Sequence, residues 1–133
     1  MPDFVTDTHG LIWYLEDSPR LGSGARQAFD TCDRGDAIVY VPTMCLVEMT
    51  YLQEKGRISP DLIIRLDDEL SRGTSGLVIF PLTAEVAKTI SDVPRTDIPD
   101  MPDRIIAATA LHLGLPLISR DRKIRLSAVE TLW

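Results

Sequence analysis

The sequence predicts an α/β chain folded as a three-layer α/β/α sandwich around a mostly parallel sheet of four to five strands. Three observations predict it. Short apolar or β-branched runs alternate with stretches of helical periodicity, the pattern of βαβ units. One of those runs, Ala37-Ile38-Val39-Tyr40-Val41, is apolar throughout rather than alternating, as a strand covered on both faces must be. The 133 residues, 44% hydrophobic and 26% charged, suffice for one buried core but hardly for two, so residues 1–133 read as a single domain.

Phe4-Val5-Thr6-Asp7 is the first strand, and Thr8 is placed to cap the amphipathic stretch Leu11-Ile12-Trp13 to Leu15, which Asp17-Ser18-Pro19 closes. A helix fits Ser23 to Arg34, with Ala25, Ala28 and Phe29 on one side and Gly35 as its stop. The second strand, residues 37–41, lies between Asp36 and Pro42. Thr43 then caps a helix to Lys55 and Gly56, and Ser59-Pro60-Asp61 opens another through Arg72, with proline at the first helical position.

Leu77-Val78-Ile79-Phe80 is the third strand, Thr83 to Ser91 is helical, and Pro94, Pro99 and Pro102 mark a loop. Pro102 starts a helix through Leu113 that Gly114 ends, Leu115 to Ile118 is the fourth strand, and Val129 to Leu132 a short fifth. No internal repeat, low-complexity stretch or linker interrupts this order.

The N-terminal segment, with Asp3 and Asp7 around Phe4-Val5-Thr6, has neither the cationic start nor the apolar middle of an export signal. No apolar run approaches the roughly 20 residues that cross a bilayer, so no membrane partner is expected. Cys32 and Cys45 lack CxxC spacing and read as reduced structural thiols, which makes the cytoplasm the expected location. The net charge of −6 argues at first against a nucleic-acid partner, because phosphate affinity comes from Lys and Arg. Residues 95–125 reverse that balance locally, with Arg95, Arg104, Arg120, Arg122, Lys123 and Arg125 against four aspartates.

In a parallel sheet the strand C-termini and the following helix N-termini share one rim, the usual binding edge. Asp7 closes the first strand there, Asp121 follows the fourth, and Asp103 lies in the first turn of the helix before it, with Asp100 one turn earlier. Glu48 is five residues past Thr43, about 7.5 Å down its helix. Its i−4, i−3, i+3 and i+4 neighbours are Met44, Cys45, Tyr51 and Leu52, so it projects from an apolar stripe and needs a cation or a proton.

Four acids gathered at one rim repel one another by roughly 4 kcal/mol per pair at 4 Å and an effective dielectric near 20. A divalent cation removes that cost, and oxygen donors with no His or Cys cluster suit Mg²⁺ or Mn²⁺ rather than zinc. Such ions on a carboxylate rim activate water and neutralise charge on a phosphodiester, which points to phosphodiester hydrolysis. Arg104 and the basic stretch Arg120, Arg122, Lys123 are then placed to hold substrate phosphates.

At these residues the sequence resembles a PIN domain, and among PIN domains the VapC toxins of bacterial VapBC toxin–antitoxin pairs. The resemblance rests on Thr6-Asp7-Thr8-His9 with Leu11-Ile12-Trp13, on Leu46-Val47-Glu48-Met49, on Asp103-Arg104-Ile105-Ile106-Ala107-Ala108-Thr109-Ala110, and on Leu117-Ile118-Ser119-Arg120-Asp121-Arg122. It implies an Mg²⁺- or Mn²⁺-dependent endoribonuclease, usually a homodimer, that cuts RNA and is held inactive by a small antitoxin protein inserted near its groove. Asp7, Glu48, Asp103 and Asp121 match the family's acidic quartet, Asp100 matches a further acid, and Ser119 a Ser/Thr that supports the fourth. Pro102 directly before Asp103, and Val47 where a Trp is often found, depart from the pattern without removing a carboxylate.

Simpler roles compete. Singly, Asp7 and Asp103 suit helix-start acids and Asp121 a solvated turn. His9 and His112 have no ligand-spaced partner and read as packing or surface residues, and Trp13 and Tyr51 as core or dimer-face residues. A haloacid-dehalogenase-type phosphotransferase needs a second Asp where His9 stands, and a receiver domain needs an acceptor Asp where Phe80-Pro81 stands. The alternative of another class is a non-catalytic module whose acids hold a structural ion or dock a basic partner.

Overall fold

A computed structural model describes residues 3–73 and 75–133. In chain order the elements are β1 (Phe4–Thr6), α1 (Thr8–Leu15), α2 (Ser23–Asp33), β2 (Val39–Pro42), α3 (Thr43–Glu54), α4 (Pro60–Ser71) and β3 (Leu77–Phe80). Then follow α5 (Ala84–Thr89) with a 3-10 turn over Ile90–Asp92, α6 (Met101–Leu113), β4 (Leu117–Ile118), α7 (Arg122–Arg125) and β5 (Thr131–Leu132).

All five strands are parallel, in the order β3-β2-β1-β4-β5. Val5 lies opposite Tyr40 on one side and Leu117 on the other, and Leu117 is in turn opposite Thr131. The first two crossovers step outward from β1 to β3, and the third returns across the sheet to β4. With right-handed crossovers that reversal puts helices on both faces. It also makes the β1/β4 junction a topological switch point, the place where an open parallel sheet leaves a crevice beyond its strand C-termini.

The core is continuous through the sheet. Val5, Val39, Val41, Leu117 and Ile118 are fully buried strand residues, covered by Leu11, Phe29, Met49, Leu66, Ile106 and Ile124 from the helices. Ala107, Ala108 and Ala110 let α6 lie close against the sheet, where it packs on β1. Gly114 ends α6 in the left-handed conformation, φ 66°, as a helix-stop glycine does. Among the described residues no helix is long and apolar enough to cross a membrane.

Several boundaries differ from the sequence expectation. Asp7, not Thr8, caps α1: its carboxylate accepts the Gly10 N–H, while the Thr8 hydroxyl donates to Glu48. Thr43 is the first residue of α3 rather than its cap, and its hydroxyl donates instead to the Phe80 carbonyl of the neighbouring strand. The second strand spans residues 39–42 rather than 37–41, the fourth starts at Leu117 and the fifth at Thr131. The stretch after Arg120 is the short helix α7, capped by Asp121 and pinned by fully buried Ile124.

Candidate active site

Asp7 ends β1 and turns the chain into α1. Its extended backbone leaves Oδ1 to accept the Gly10 N–H at 2.8 Å. A Cβ at Gly10 would be a tight fit, 3.0 Å from both Asp7 Oδ1 and Thr6 Oγ1 and 3.3 Å from Ile118 Cγ2. Asp7 is only 8% exposed, and burial pushes its carboxyl pKa up. The Ser119 hydroxyl, the Gly10 N–H and His9 oppose that shift, while Asp121 adds to it.

Asp103 arrives from the first turn of α6. Its N–H donates to Oδ2 of Asp100, the residue capping that helix, at 3.1 Å. The Asp103 carboxyl is pushed up to about 7, first by burial and then by the charges of Asp100, Asp121, Glu48 and Asp7. One side chain thus feels every other acid expected at the rim.

Asp121 comes from the end of β4 through Ser119, whose hydroxyl accepts the Asp121 N–H at 3.1 Å. Asp121 Oδ1 accepts the N–H groups of Lys123 and Ile124 at 2.8 and 3.1 Å, which fixes the carboxylate at the start of α7. Glu48, from α3, accepts the Thr8 hydroxyl at Oε1 and so is tied to the residue following Asp7.

Asp7, Asp103 and Asp121 line one cleft of about 620 Å³. Glu48 and Asp100 are not among its walls, although both act on Asp103 through their charge. Among the described residues no three His, Cys, Asp or Glu side chains close around one point as a finished metal cage. Asp7, Asp103 and Asp121 thus share the crevice at the switch point between β1 and β4.

The basic residues separate. Arg104 is spent on structure: its Nε donates to the Val93 carbonyl at 2.8 Å and a terminal nitrogen to that of Ile90 at 3.1 Å, tying α6 to the 3-10 turn. Arg122 and Lys123 are exposed on α7 and outside the cleft walls. Arg120 alone of the expected phosphate binders lines the cleft, joined by Arg20, Arg57, His9 and Trp13, which the sequence did not assign to it. Arg57 follows the turn at Gly56 between two helices, and no local pattern marks that turn as part of the rim.

The PIN-domain family model matches residues 4–130. The chain belongs to the PIN-domain family. Ribonuclease VapC22 of Mycobacterium tuberculosis is 29% identical over 125 residues, which cover 94% of this chain and 92% of that protein. Solved structures share the fold, among them the following two. VapBC2 from Rickettsia felis bound to a DNA fragment from their promoter has a TM-score of 0.71 at 15% identity, covering 98% of each chain. DNA-bound VapBC from Salmonella typhimurium has a TM-score of 0.68 at 18% identity, covering 98% of this chain and 97% of that one.

The donor set of this PIN domain fits a hard divalent cation. Its acids offer oxygen only; burial first, and then the charges of the neighbouring acids, hold Asp103 part-protonated near neutral pH, and a cation offsets that repulsion. A stability consequence follows. The folded chain binds the Asp103 proton up to about pH 7, whereas the unfolded chain releases it near the ordinary value of 3.8. Between those limits the folded state carries more protons, so metal-free stability falls as pH rises from about 4 to 7 and is level above. The loss is about 2 kcal/mol once solvent screening of a half-exposed group is allowed for. Urea unfolding in EDTA at pH 5 and pH 8 measures it, and millimolar Mg²⁺ should restore stability at pH 8; equal stability at both pH values would remove Asp103 from the acidic centre.

Proposed function

We propose that this PIN domain is an Mg²⁺- or Mn²⁺-dependent endoribonuclease and the toxin of a toxin–antitoxin pair. The observation that carries the reading is that Asp7, Asp103 and Asp121 line one cleft beyond β1 and β4, with Glu48 and Asp100 acting on Asp103 through their charge. The similarity to Ribonuclease VapC22 supports RNA as substrate, and the likeness to VapBC and toxin-antitoxin complexes supports an antitoxin partner. The working form in this reading is a cytoplasmic homodimer.

Asp7, Glu48, Asp103 and Asp121 are the catalytic and metal-holding acids of this proposal, with Asp100 as a further ligand. A divalent cation bound there supplies Lewis acidity toward water and toward the phosphodiester. The chain's own residues set the stage. The Gly10 N–H and Ser119 hydroxyl orient Asp7, the N–H groups of Lys123 and Ile124 orient Asp121, and the Thr8 hydroxyl orients Glu48. Each anchor fixes a carboxylate before substrate arrives, so little reorganisation is left to the reaction. Ile12, Leu52 and Ile58 give the cleft an apolar side.

Purified chain incubated with structured RNAs should cleave internal bonds with Mg²⁺ or Mn²⁺ and stop on addition of EDTA. Tight cation binding with no cleavage of any RNA would favour the non-catalytic module instead.

A further inference from the structure

We infer that Trp13 is a positioning residue for Arg120: the indole holds the guanidinium at the wall of the acidic cleft, off the carboxylates, where its donors receive an RNA phosphodiester. The inference rests on the ribonuclease reading and adds to it the residue pair that seats the substrate backbone.

The guanidinium carbon of Arg120 lies 4.6 Å from the centroid of the Trp13 ring. Arg120 lines the same cleft as Asp7, Asp103 and Asp121 and directly precedes Asp121 in sequence. An arginine among carboxylates ordinarily forms a bidentate pair with one of them. Among the described residues Arg120 makes no salt bridge; the four ion pairs found involve Arg26, Arg34 and Arg72. Its position is instead set by attraction to the ring quadrupole, which occupies none of its N–H donors. Pairing with an acid would cancel one carboxylate needed for a cation and one cation needed for a phosphate. The aromatic contact keeps both available.

Trp13 is built to serve as a fixed platform. It sits on α1, six residues past Asp7, and is 8% exposed. The His9 ring packs 5.5 Å from it at a tilt, and the Trp133 ring meets it edge-on at 5.7 Å. Arg20, whose guanidinium carbon is 5.9 Å from the same ring, extends the cationic wall without closing on the acids. Trp13 belongs to the buried core, as the sequence leads one to expect, and its ring also forms part of the cleft wall.

Steady-state kinetics on a structured RNA test the assignment. Arg120→Ala, a change at an exposed side chain, should raise KM about 30-fold, the loss of a charge-assisted phosphate contact, with kcat within about threefold of wild type. Trp13→Leu should raise KM about tenfold, the Trp13→Leu/Arg120→Ala pair should be no worse than Arg120→Ala alone, and Trp13→Phe, which keeps a π face, should recover most of the loss. If Trp13→Leu fails to fold, Trp13→Met, which fills much of the same space without a π face, gives the coupling with and without Arg120→Ala. Wild-type KM in Arg120→Ala, or effects of the two residues that simply add, overturns the inference.

Fluorescence anisotropy separates this failure from failure of the ribonuclease reading. A fluorescein-labelled single-stranded RNA bound to the Asp103→Asn chain in EDTA should lose about tenfold in affinity on Arg120→Ala and on Trp13→Leu. RNA that binds with this dependence but is never cut by the wild-type chain supports the pair and sinks the ribonuclease. RNA that is cut with unchanged KM in every variant does the reverse.

Discussion

Asp103→Asn should lower RNA cleavage by at least a hundredfold while leaving the fold intact. The substitution keeps the size and planarity of the side chain, and the Asp103 carboxylate accepts no hydrogen bond among the described residues, so nothing structural depends on its charge. What it removes is the acid on which Asp100, Asp121, Glu48 and Asp7 all act. A neutral amide is a far weaker ligand for a hard cation than a carboxylate, and a misplaced ion costs the activation and orientation of the attacking water together. The same change relieves like-charge repulsion, so the variant should unfold at a higher urea concentration than wild type at pH 8 in EDTA. Loss of activity with gain of stability distinguishes a functional acid from a structural one. Cleavage retained at a tenth of wild type or more would take Asp103 out of the catalytic set.

Gly76→Ala should destabilise the chain by about 3 kcal/mol without altering the cleft. Gly76 has φ 75° immediately before β3, a conformation that costs an L side chain roughly 1–2 kcal/mol. The space is also closed. A Cβ would lie 2.6 Å from the Cys32 carbonyl oxygen, 2.7 Å from that of Ala37 and 2.8 Å from Cys32 Sγ. Two of those atoms are backbone, and the Gly76 carbonyl itself accepts the Val39 N–H at 3.0 Å, so relief requires moving β2 against β3. Overpacking of that kind adds about 1–3 kcal/mol. Urea unfolding measures the shift. A loss below 1 kcal/mol would show that the β2–β3 edge yields more easily than its contacts indicate.

Local chemistry made much of the fold readable. The strand at Leu77–Phe80 has its expected bounds because a β-branched run is bracketed by Gly76 and Pro81, and α6 ends at its helix-stop glycine. The acids were readable for a related reason: strand–helix alternation alone brings strand ends and helix starts to one rim, whichever strands are neighbours.

What local chemistry does not carry is pairing between distant segments. The strand order, and with it the switch point between β1 and β4, depends on which runs meet across the sheet. Arg104 looked like a phosphate binder because its acceptors, the Val93 and Ile90 carbonyls, lie 11 and 14 residues away. Arg20 and Arg57 join the cleft through turns whose direction is a tertiary matter. The helix α7 escaped notice because four residues show no period, and its formation comes from the Asp121 cap and the burial of Ile124.

The parallel sheet also leaves a quiet side. The turns feeding β2 and β4 pass through Gly35 and Gly114 at the edge opposite the acids, and among the described residues nothing beyond the chain neighbours lies within 4 Å of where a side chain at either glycine would begin. A reporter peptide or affinity loop spliced into these turns has open solvent to occupy, which makes them natural attachment points for following the working protein without crowding its business end.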